Sequence, residues 1–342
     1  MSLRVAKLAN VEYYLPKQTL TNAELEDLFV DWTAEKIHLK TGISVRHIAR
    51  HDECSSDLGI EATRKLLEQG NIDPADIDIL IFCTQTPDYL IPTTACIMQE
   101  RLGLRTSCAA FDINLGCSGF VYGLSIASAY VRSGMANNVL LVTAETYSKV
   151  INPLDKSVRT IFGDAGAAAL ICADKGIAQI GDFTLGTDGS GYQNFIVPTS
   201  GFRIPKSAES SIEEKDESGN IRSSNNLYMN GANIFTFTIN AVPSTIQQLL
   251  HKTDLVLDDI DWFILHQANQ FMLQHLVRKL RIPESKVPIR LEDYGNTVSS
   301  SIAIMLRDCQ QEGLFQNGDR IMLVGFGVGY SWGAVLLEWT GE

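Results

Sequence analysis

The sequence predicts an α/β protein built from two similar halves. Short β-branched runs alternate with helical apolar patterns along most of the chain, and several of those runs return in the same order later on. With 342 residues, 45% of them hydrophobic and 20% charged, the chain is long and apolar enough for two ordinary domains or one large domain of two halves.

Taken in order, the elements begin at 55–70, SSDLGIEATRKLLEQG, where serines open the run and Gly70 closes it. Leu58, Ala62 and Leu66 fall there at helical spacing. A strand follows over IDILIFC (77–83), then a helix over TTACIMQERLG (93–103) and a strand over AAFDIN (109–114). Phe120 to Arg132 reads as an apolar helix of small side chains ending at Gly134, and NNVLLVTAE (137–145) as a buried strand. IFGDAGAAALICAD (161–174) gives a glycine turn into another strand. Residues 200–226 have no apolar period and are expected as an exposed loop. YMNGANIFTFTIN (228–240) is helical in pattern, with Pro243 expected to bend or interrupt it. DWFILHQAN (261–269), a helix to about Lys279, GDRIMLVGFG (318–327) and GYSWGAVLLEW (329–339) complete the second half.

Three segment pairs carry the repeat: ILIFCTQ with WFILHQA, NVLLVTAE with RIMLVGFG, and DAGAAALIC with SWGAVLLEW. Their common order places a junction near residue 175 and halves at 1–175 and 176–342. Stacked halves would bury their apolar helices against each other.

Composition also excludes. Forty acidic against 28 basic residues give a net charge of −12, which argues against nucleic acid or an anionic membrane as partner. The opening MSLRVAKLANVEYYLPK lacks a signal-peptide pattern and no apolar run is long enough to span a bilayer, so a cytoplasmic protein is expected. Seven scattered cysteines without a CxxC pair predict neither a disulfide framework nor a zinc site.

One cysteine has a distinctive setting. In DINLGCSGF (112–120), Cys117 follows a predicted strand and opens a predicted helix, between Gly116 and Gly119. A cysteine is more often a small core residue, yet unpaired N–H groups at a helix start favour thiolate over thiol. A nucleophile needs partners that move protons or hold an oxyanion. His266 ends the strand of FILHQAN, and Asn296 sits in the glycine turn of EDYGNTVSSS. A structural histidine and a turn asparagine are the alternative readings. GFGVGYSWG (325–333) is followed by a strand, not a helix, so it is unsuited to a dinucleotide and suited to an oxyanion hole.

At these residues the whole chain resembles the β-ketoacyl-acyl carrier protein synthase III family of the thiolase superfamily. The motifs stand in family order: TGISVRHIA (41–49), TPDYLIPTTA (86–95), FDINLGCSGF (111–120), IFGDAGAA (161–168), YMNG (228–231), LHQAN (265–269), YGNT (294–297) and GFGVGYSWG. The resemblance implies an αβαβα layered thiolase-like fold, a homodimer, and no metal or organic redox cofactor. It makes Cys117 the acylated nucleophile, with the N–H groups of Cys117 and Val328 as oxyanion hole, and gives His266 and Asn296 the decarboxylating half reaction. The implied partners are an acyl-CoA or acyl-carrier primer and malonyl-acyl carrier protein.

Further positions carry over with departures. Where family members hold the CoA adenine between a tryptophan and an arginine, this chain has Lys36 and Lys156, and Lys40 replaces the motif's arginine. Lysine cannot stack as those groups do, so weaker CoA discrimination is expected, with Trp32 as the substitute if the loop shifts register. Asn269 of the HQAN motif is expected at the substrate. Ile91 is expected to close the partner's acyl tunnel, and its size hints at a primer longer than acetyl. Arg278, Lys279 and Arg281 are candidates for docking the acidic carrier, the alternative being a solvated helix end that complements its dipole. A specialised homologue of secondary metabolism shares the cysteine. Asn296 and GFGVG disfavour a hydroxymethylglutaryl-CoA synthase or plant-type polyketide synthase, and Cys117 disfavours a silent partner subunit.

Overall fold

Among the described residues nine strands make the central sheet: β1 (Ala6–Tyr14), β2 (Ile79–Cys83), β3 (Ala109–Ile113), β4 (Asn138–Glu145), β5 (Ala165–Ala173), β6 (Ala178–Thr187), β7 (Trp262–Leu265), β8 (Arg320–Gly327) and β9 (Ser331–Trp339). The structure is a computed structural model that describes residues 4–29, 31–173 and 175–341. Asp174, the last residue of the segment read as 161–174, lies outside the described residues.

The sheet runs in the order β7-β8-β9-β6-β1-β5-β4-β2-β3. Its centre is the short antiparallel contact of Lys7 and Leu8 in β1 with Gln179 and Ala178 in β6. Counting outward from there, β5, β4 and β2 on one side stand opposite β9, β8 and β7 on the other. The three look-alike segment pairs occupy these matching places. We propose on this basis that the chain consists of two related units, 1–175 and 176–342, whose sheets merge between β1 and β6.

Layering follows from which residues are buried. β2 reads ILIFC and is buried throughout, without the alternation of a one-sided strand, because helices cover both faces. One outer layer holds the helices Ser55–Gly70 and Thr94–Arg101, which pack Leu58, Leu66 and Met98 on Phe82 and Val142. The opposite outer layer holds Gly231–Lys252 and Gln270–Leu280, packing Ile246, Leu249 and Leu276 on Phe263 and Val324. Between the two half-sheets lie Gly119–Ser133 and Ser301–Gln311, whose Phe120, Leu124, Val131, Ile302 and Leu306 belong to one core with strands of both halves. The result is the αβαβα layering the resemblance implied.

Several local expectations needed revision. The helix at 55–70 is capped by Cys54, whose N–H donates to Asp57 Oδ2 at 2.7 Å, and not by the serines. Ser55 and Ser56 instead tie the helix start to Thr86 and Asp88, each at 2.6 Å. Pro243 does not interrupt its helix, which runs unbroken from Gly231 to Lys252. The buried Val242, Thr245, Ile246 and Leu249 around it retain the helix against the loss of one backbone bond. The loop at 200–226 is exposed over 201–209, yet its return anchors to the body through Arg222, which bridges Asp155 and Asp216 at 2.7 Å each. No helix among the described residues is long and apolar enough to cross a membrane.

The outer helix Ser55–Gly70 lies so close to β5 that a Cβ on Gly166 would strike the backbone carbon and oxygen of Leu58. Backbone atoms cannot swing aside as a side chain can. Gly166→Ala is expected to destabilise the protein by roughly 1–3 kcal/mol, read as a lower midpoint in chemical denaturation; an unchanged midpoint would mean that helix and strand can separate at no cost.

Candidate active site

The nucleophile candidate stands where β3 gives way to the central helix Gly119–Ser133. The Gly119 N–H bonds Gly116 O at 2.7 Å, closing a tight turn with Ser118 as the helix cap. Cys117 is therefore one residue ahead of the cap, not in the first helical turn as the sequence reading had it. Glycine is needed at 119, because a Cβ there would meet the Cys83 sulfur.

The glycine loop of the second half meets this turn. A Cβ on Gly327 would lie 2.7 Å from Cys117 Cβ and 2.8 Å from Sγ, and one on Gly325 would lie 2.9 Å from Ser118 Cα. Ser118 Oγ and Ser331 Oγ are 2.6 Å apart, and Ser331 Oγ donates to Val328 O at 2.9 Å. These contacts fix Val328 beside Cys117, and the backbone groups of Val328 and Cys117 favour the thiolate form of the sulfur. The loop is thus a hairpin turn between β8 and β9 that presents backbone donors.

Electrostatically the thiol is held neutral. Burial first, then the nearby Glu145 carboxyl, push it up to about 12, while the two backbone groups oppose them. That outweighs the helix-start effect expected from the sequence.

His266 follows the C-terminal end of β7 and donates its own N–H to Val324 O at 2.9 Å. Its Nδ1 is 2.7 Å from Ser301 Oγ, which also accepts from the Gln267 N–H at 3.4 Å. With the Ser301 proton on Nδ1, the ring carries its own proton on Nε2. Burial pushes the imidazole down to about 3, so the ring is neutral. Gln267 locks the motif from behind, donating to Leu265 O at 2.8 Å and accepting from Arg290 N at 3.0 Å.

Asn296 follows Gly295, whose φ of +69° is the left-handed region that glycine tolerates. Its N–H donates to Ile161 O at 2.9 Å and its carbonyl accepts from Gly163 N at 3.1 Å. Oδ1 accepts from Val298 N at 2.9 Å, which commits the oxygen and leaves the amide N–H groups of the side chain as donors. Val298 itself sits at φ +52°, a strained conformation for a β-branched residue, which costs of order 1–3 kcal/mol. Under this turn lies Arg46, fully buried, which donates to Asn22 Oδ1 and Thr160 O.

Cys117, His266, Asn296 and Val328 line one cavity of about 290 Å³, with Phe162, Phe195, Met229, Ile234 and Phe326 as apolar walls. Asn269 lines it too, although its Oδ1 is taken as the cap of Gln270–Leu280, accepting from Met272 N at 2.9 Å. Beyond Phe195 and Val328 lies a second cavity of about 210 Å³, lined by Gln85, Asn114, Tyr147 and Leu227. Outward, next to Ser157 of the first cavity, Lys156 shares a third of about 470 Å³ with Phe29, Trp32, Lys215 and Asp216.

Lys36 and Lys40 stand elsewhere than expected. The helix Ala34–Thr41 starts after the Thr33 cap, so Lys36 turns back to donate to Asp31 O at 2.7 Å. The ammonium groups of Lys36 and Lys40 lie 5.6 and 4.9 Å from the Trp32 ring centroid, and Trp32 rather than either lysine faces Lys156. Arg278, Lys279 and Arg281 are exposed at the C-terminal end of Gln270–Leu280, away from Asn269. Ile91 is 85% exposed beside the exposed Tyr89 and Leu90. Trp32, the residue that the sequence offers as a substitute if the loop shifts register, lines the third cavity, whereas Arg46 as a brace and Glu145 as a neighbour of the sulfur are absent from the sequence reading. A carboxyl closing the apolar run NVLLVTAE was the one legible signal for the last.

The chain is similar to known proteins over nearly its whole length. The pattern of 3-oxoacyl-[acyl-carrier-protein] synthase III matches residues 111–189 and that of its C-terminal part matches 250–339. A β-ketoacyl-[acyl-carrier-protein] synthase III of Caldanaerobacter subterraneus is 40% identical over 96% of both chains. One of Clostridium perfringens is 36% identical over 98% of this chain and 100% of its own. A crystal structure of a 3-oxoacyl-(acyl-carrier-protein) synthase III superposes with a TM-score of 0.96 at 49% identity, covering 98% of this chain and 100% of that one. With likeness over nearly its whole length and its cysteine, histidine and asparagine gathered at one cavity, the chain belongs to the β-ketoacyl-[acyl-carrier-protein] synthase III family.

Proposed function

We propose that the chain condenses an acyl thioester primer with malonyl-acyl carrier protein through an S-acyl Cys117, and that it does so in the cytoplasm as a homodimer. The observation that carries the assignment of roles is the shared cavity: sulfur, two backbone donors on it, a neutral imidazole and an amide, all within apolar walls. The Cys117 sulfur attacks the primer carbonyl, the N–H groups of Cys117 and Val328 hold the oxyanion, and the departing thiol takes the cysteine proton. The malonyl thioester then loses CO2. His266 Nε2–H and the Asn296 amide donate to the thioester oxygen as enolate charge develops there. The carbanion attacks the acyl-cysteine carbonyl, and the thiolate leaves and regains a proton.

Both donors to the enolate are uncharged. A neutral donor does not pin the substrate's carboxylate as an imidazolium would, so the carboxylate's electron pair can pass into the enolate as neutral CO2 departs. Cys117→Ser is expected to keep the fold and lose most turnover, because an alkoxide is far harder to form than a thiolate. His266→Ala and Asn296→Ala are each expected to accept primer, seen as an acyl mass shift on the Cys117 peptide, yet to lose CO2 release by roughly 100-fold or more. Acylation on another cysteine, or equal loss in both half reactions, would overturn these roles.

The third cavity is proposed to receive the primer's handle. Trp32 supplies an aromatic face opposite Lys156, so a nucleotide base has a stacking partner in place of the groups that the lysines replace. Trp32→Ala should raise KM for acyl-CoA by roughly 2- to 30-fold, matching the 0.5–2 kcal/mol of a ring contact, and leave acyl-pantetheine unchanged. Equal effects on both donors would place the base elsewhere.

Carrier docking is proposed at Arg278, Lys279 and Arg281. In the last turn of Gln270–Leu280, Arg278 and Lys279 also complement the helix C-terminus. Arg278→Glu with Lys279→Glu is expected to raise KM for malonyl-carrier several-fold while sparing malonyl-pantetheine, with a smaller effect at high salt; an unchanged KM would remove the patch. Ile91 is proposed to enter the partner subunit, in keeping with its exposure.

A further inference from the structure

Glu145 closes β4 and is fully buried, with no cation paired to it among the described residues. Its contacts come from two other segments. The Gln85 N–H reaches both of its oxygens, at 3.2 and 3.1 Å, and Thr84 Oγ1 and Thr86 Oγ1 lie at 3.4 and 3.1 Å. Ser299 Oγ lies 3.1 Å away, three residues past Asn296. The same 84–86 segment borders the second cavity, where Gln85 Oε1 accepts from Tyr147 at 2.6 Å, and a Cβ on Gly116 would strike that oxygen. Glu145 is therefore a clamp between the loop at Gln85 and the turn at Asn296, set behind the cysteine.

We propose that Glu145 is a positioning residue whose own proton governs how readily Cys117 ionises. The proposal rests on Cys117 as the nucleophile. The titratable groups facing Glu145 are Cys83 at the end of β2, Cys117 on its turn, and Tyr147 two residues on; the Asn296 side offers only the Ser299 hydroxyl. Burial raises all three, and the carboxyl's charge raises them further. Three of the four donors are hydroxyls, which can turn round and accept, so the proton can leave or return without repacking. Burial, opposed by those donors, pushes Glu145 up to about 8. Below that value the site is neutral. Above it a carboxylate faces the sulfur, and loss of the thiol proton is held back.

Alkylation of Cys117 by iodoacetamide, mapped to its peptide, reads this without any acyl substrate. The logarithm of the rate should rise with pH, break to a shallower slope near pH 8, and run straight through that region in Glu145→Gln. At pH 9 the variant should react at least threefold faster than the native protein, and at pH 6.5 equally fast. The linkage gives an independent reading. A carboxyl raised in the fold from 4.5 to about 8 contributes stability that is fully present below 4.5 and lost as pH rises to 8. Glu145→Gln lacks that loss, so its melting temperature relative to the native protein should climb between pH 5 and 8. Should that variant not fold, Ser299→Ala removes one donor to the carboxylate and should move the break to higher pH. Superimposable profiles, or a loss of rate equal at every pH, would overturn the proposal. Failure of acyl thioesters to load Cys117 would instead sink the proposed function and leave this coupling readable.

Discussion

Everything at the site depends on the contact between the Cys117 turn and the Gly325–Gly327 loop, which belong to different halves of the chain. Cβ atoms at those glycines would lie within 3.0 Å of Cys117 or Ser118 atoms. Backbone has to touch backbone there for the Val328 N–H to reach the sulfur. The central helices Gly119–Ser133 and Ser301–Gln311 make the contact possible, since both are buried in a single core with strands of each half. Their small residues, Gly123 against Leu141 among them, let the half-sheets close down far enough. The serine pair Ser118–Ser331 then fixes the register of one turn on the other.

Burial makes this a site of neutral groups. The thiol is raised to about 12, the imidazole lowered to about 3 and Glu145 raised to about 8, each mainly by loss of water. In a medium so poorly solvating, fixed N–H dipoles aimed at a developing oxyanion act far more strongly than in water. In the proposed reaction charge arises only at atoms where donors already stand. The strain at Val298 has the same logic, since its N–H occupies Asn296 Oδ1 and turns the amide donors to the cavity.

How much of this the sequence disclosed depended on the range of the interaction involved. Helix 55–70, the strands around residues 80 and 140, and the buried helix ending at Gly134 follow from periodicity and a closing glycine, which are local signals. Cys117, His266 and Asn296 were legible because each sits at an element boundary marked by glycine or by a strand end. Local signals failed where distant packing decided. Pro243 reads as bending or interrupting its helix, yet with Val242, Ile246 and Leu249 buried around it the helix runs uninterrupted. Ser55 and Ser56 read as caps, but the loop at Thr86 and Asp88 competes for their hydroxyls and wins.

Trp32 and the lysines illustrate the same limit at the substrate end. Counting residues back from a motif assumes that the chain enters its helix at a fixed angle. Here Thr33 caps the helix, accepting from Lys36 N at 3.2 Å, and the Lys36 ammonium turns back to Asp31 O. That frees the indole four residues earlier to stand opposite Lys156, with two ammonium groups close to its ring. Charge on a ring face strengthens its hold on the protein and stiffens it. A position aligned by count was a poor guide to the atom that fills the space, and the cap geometry explains why.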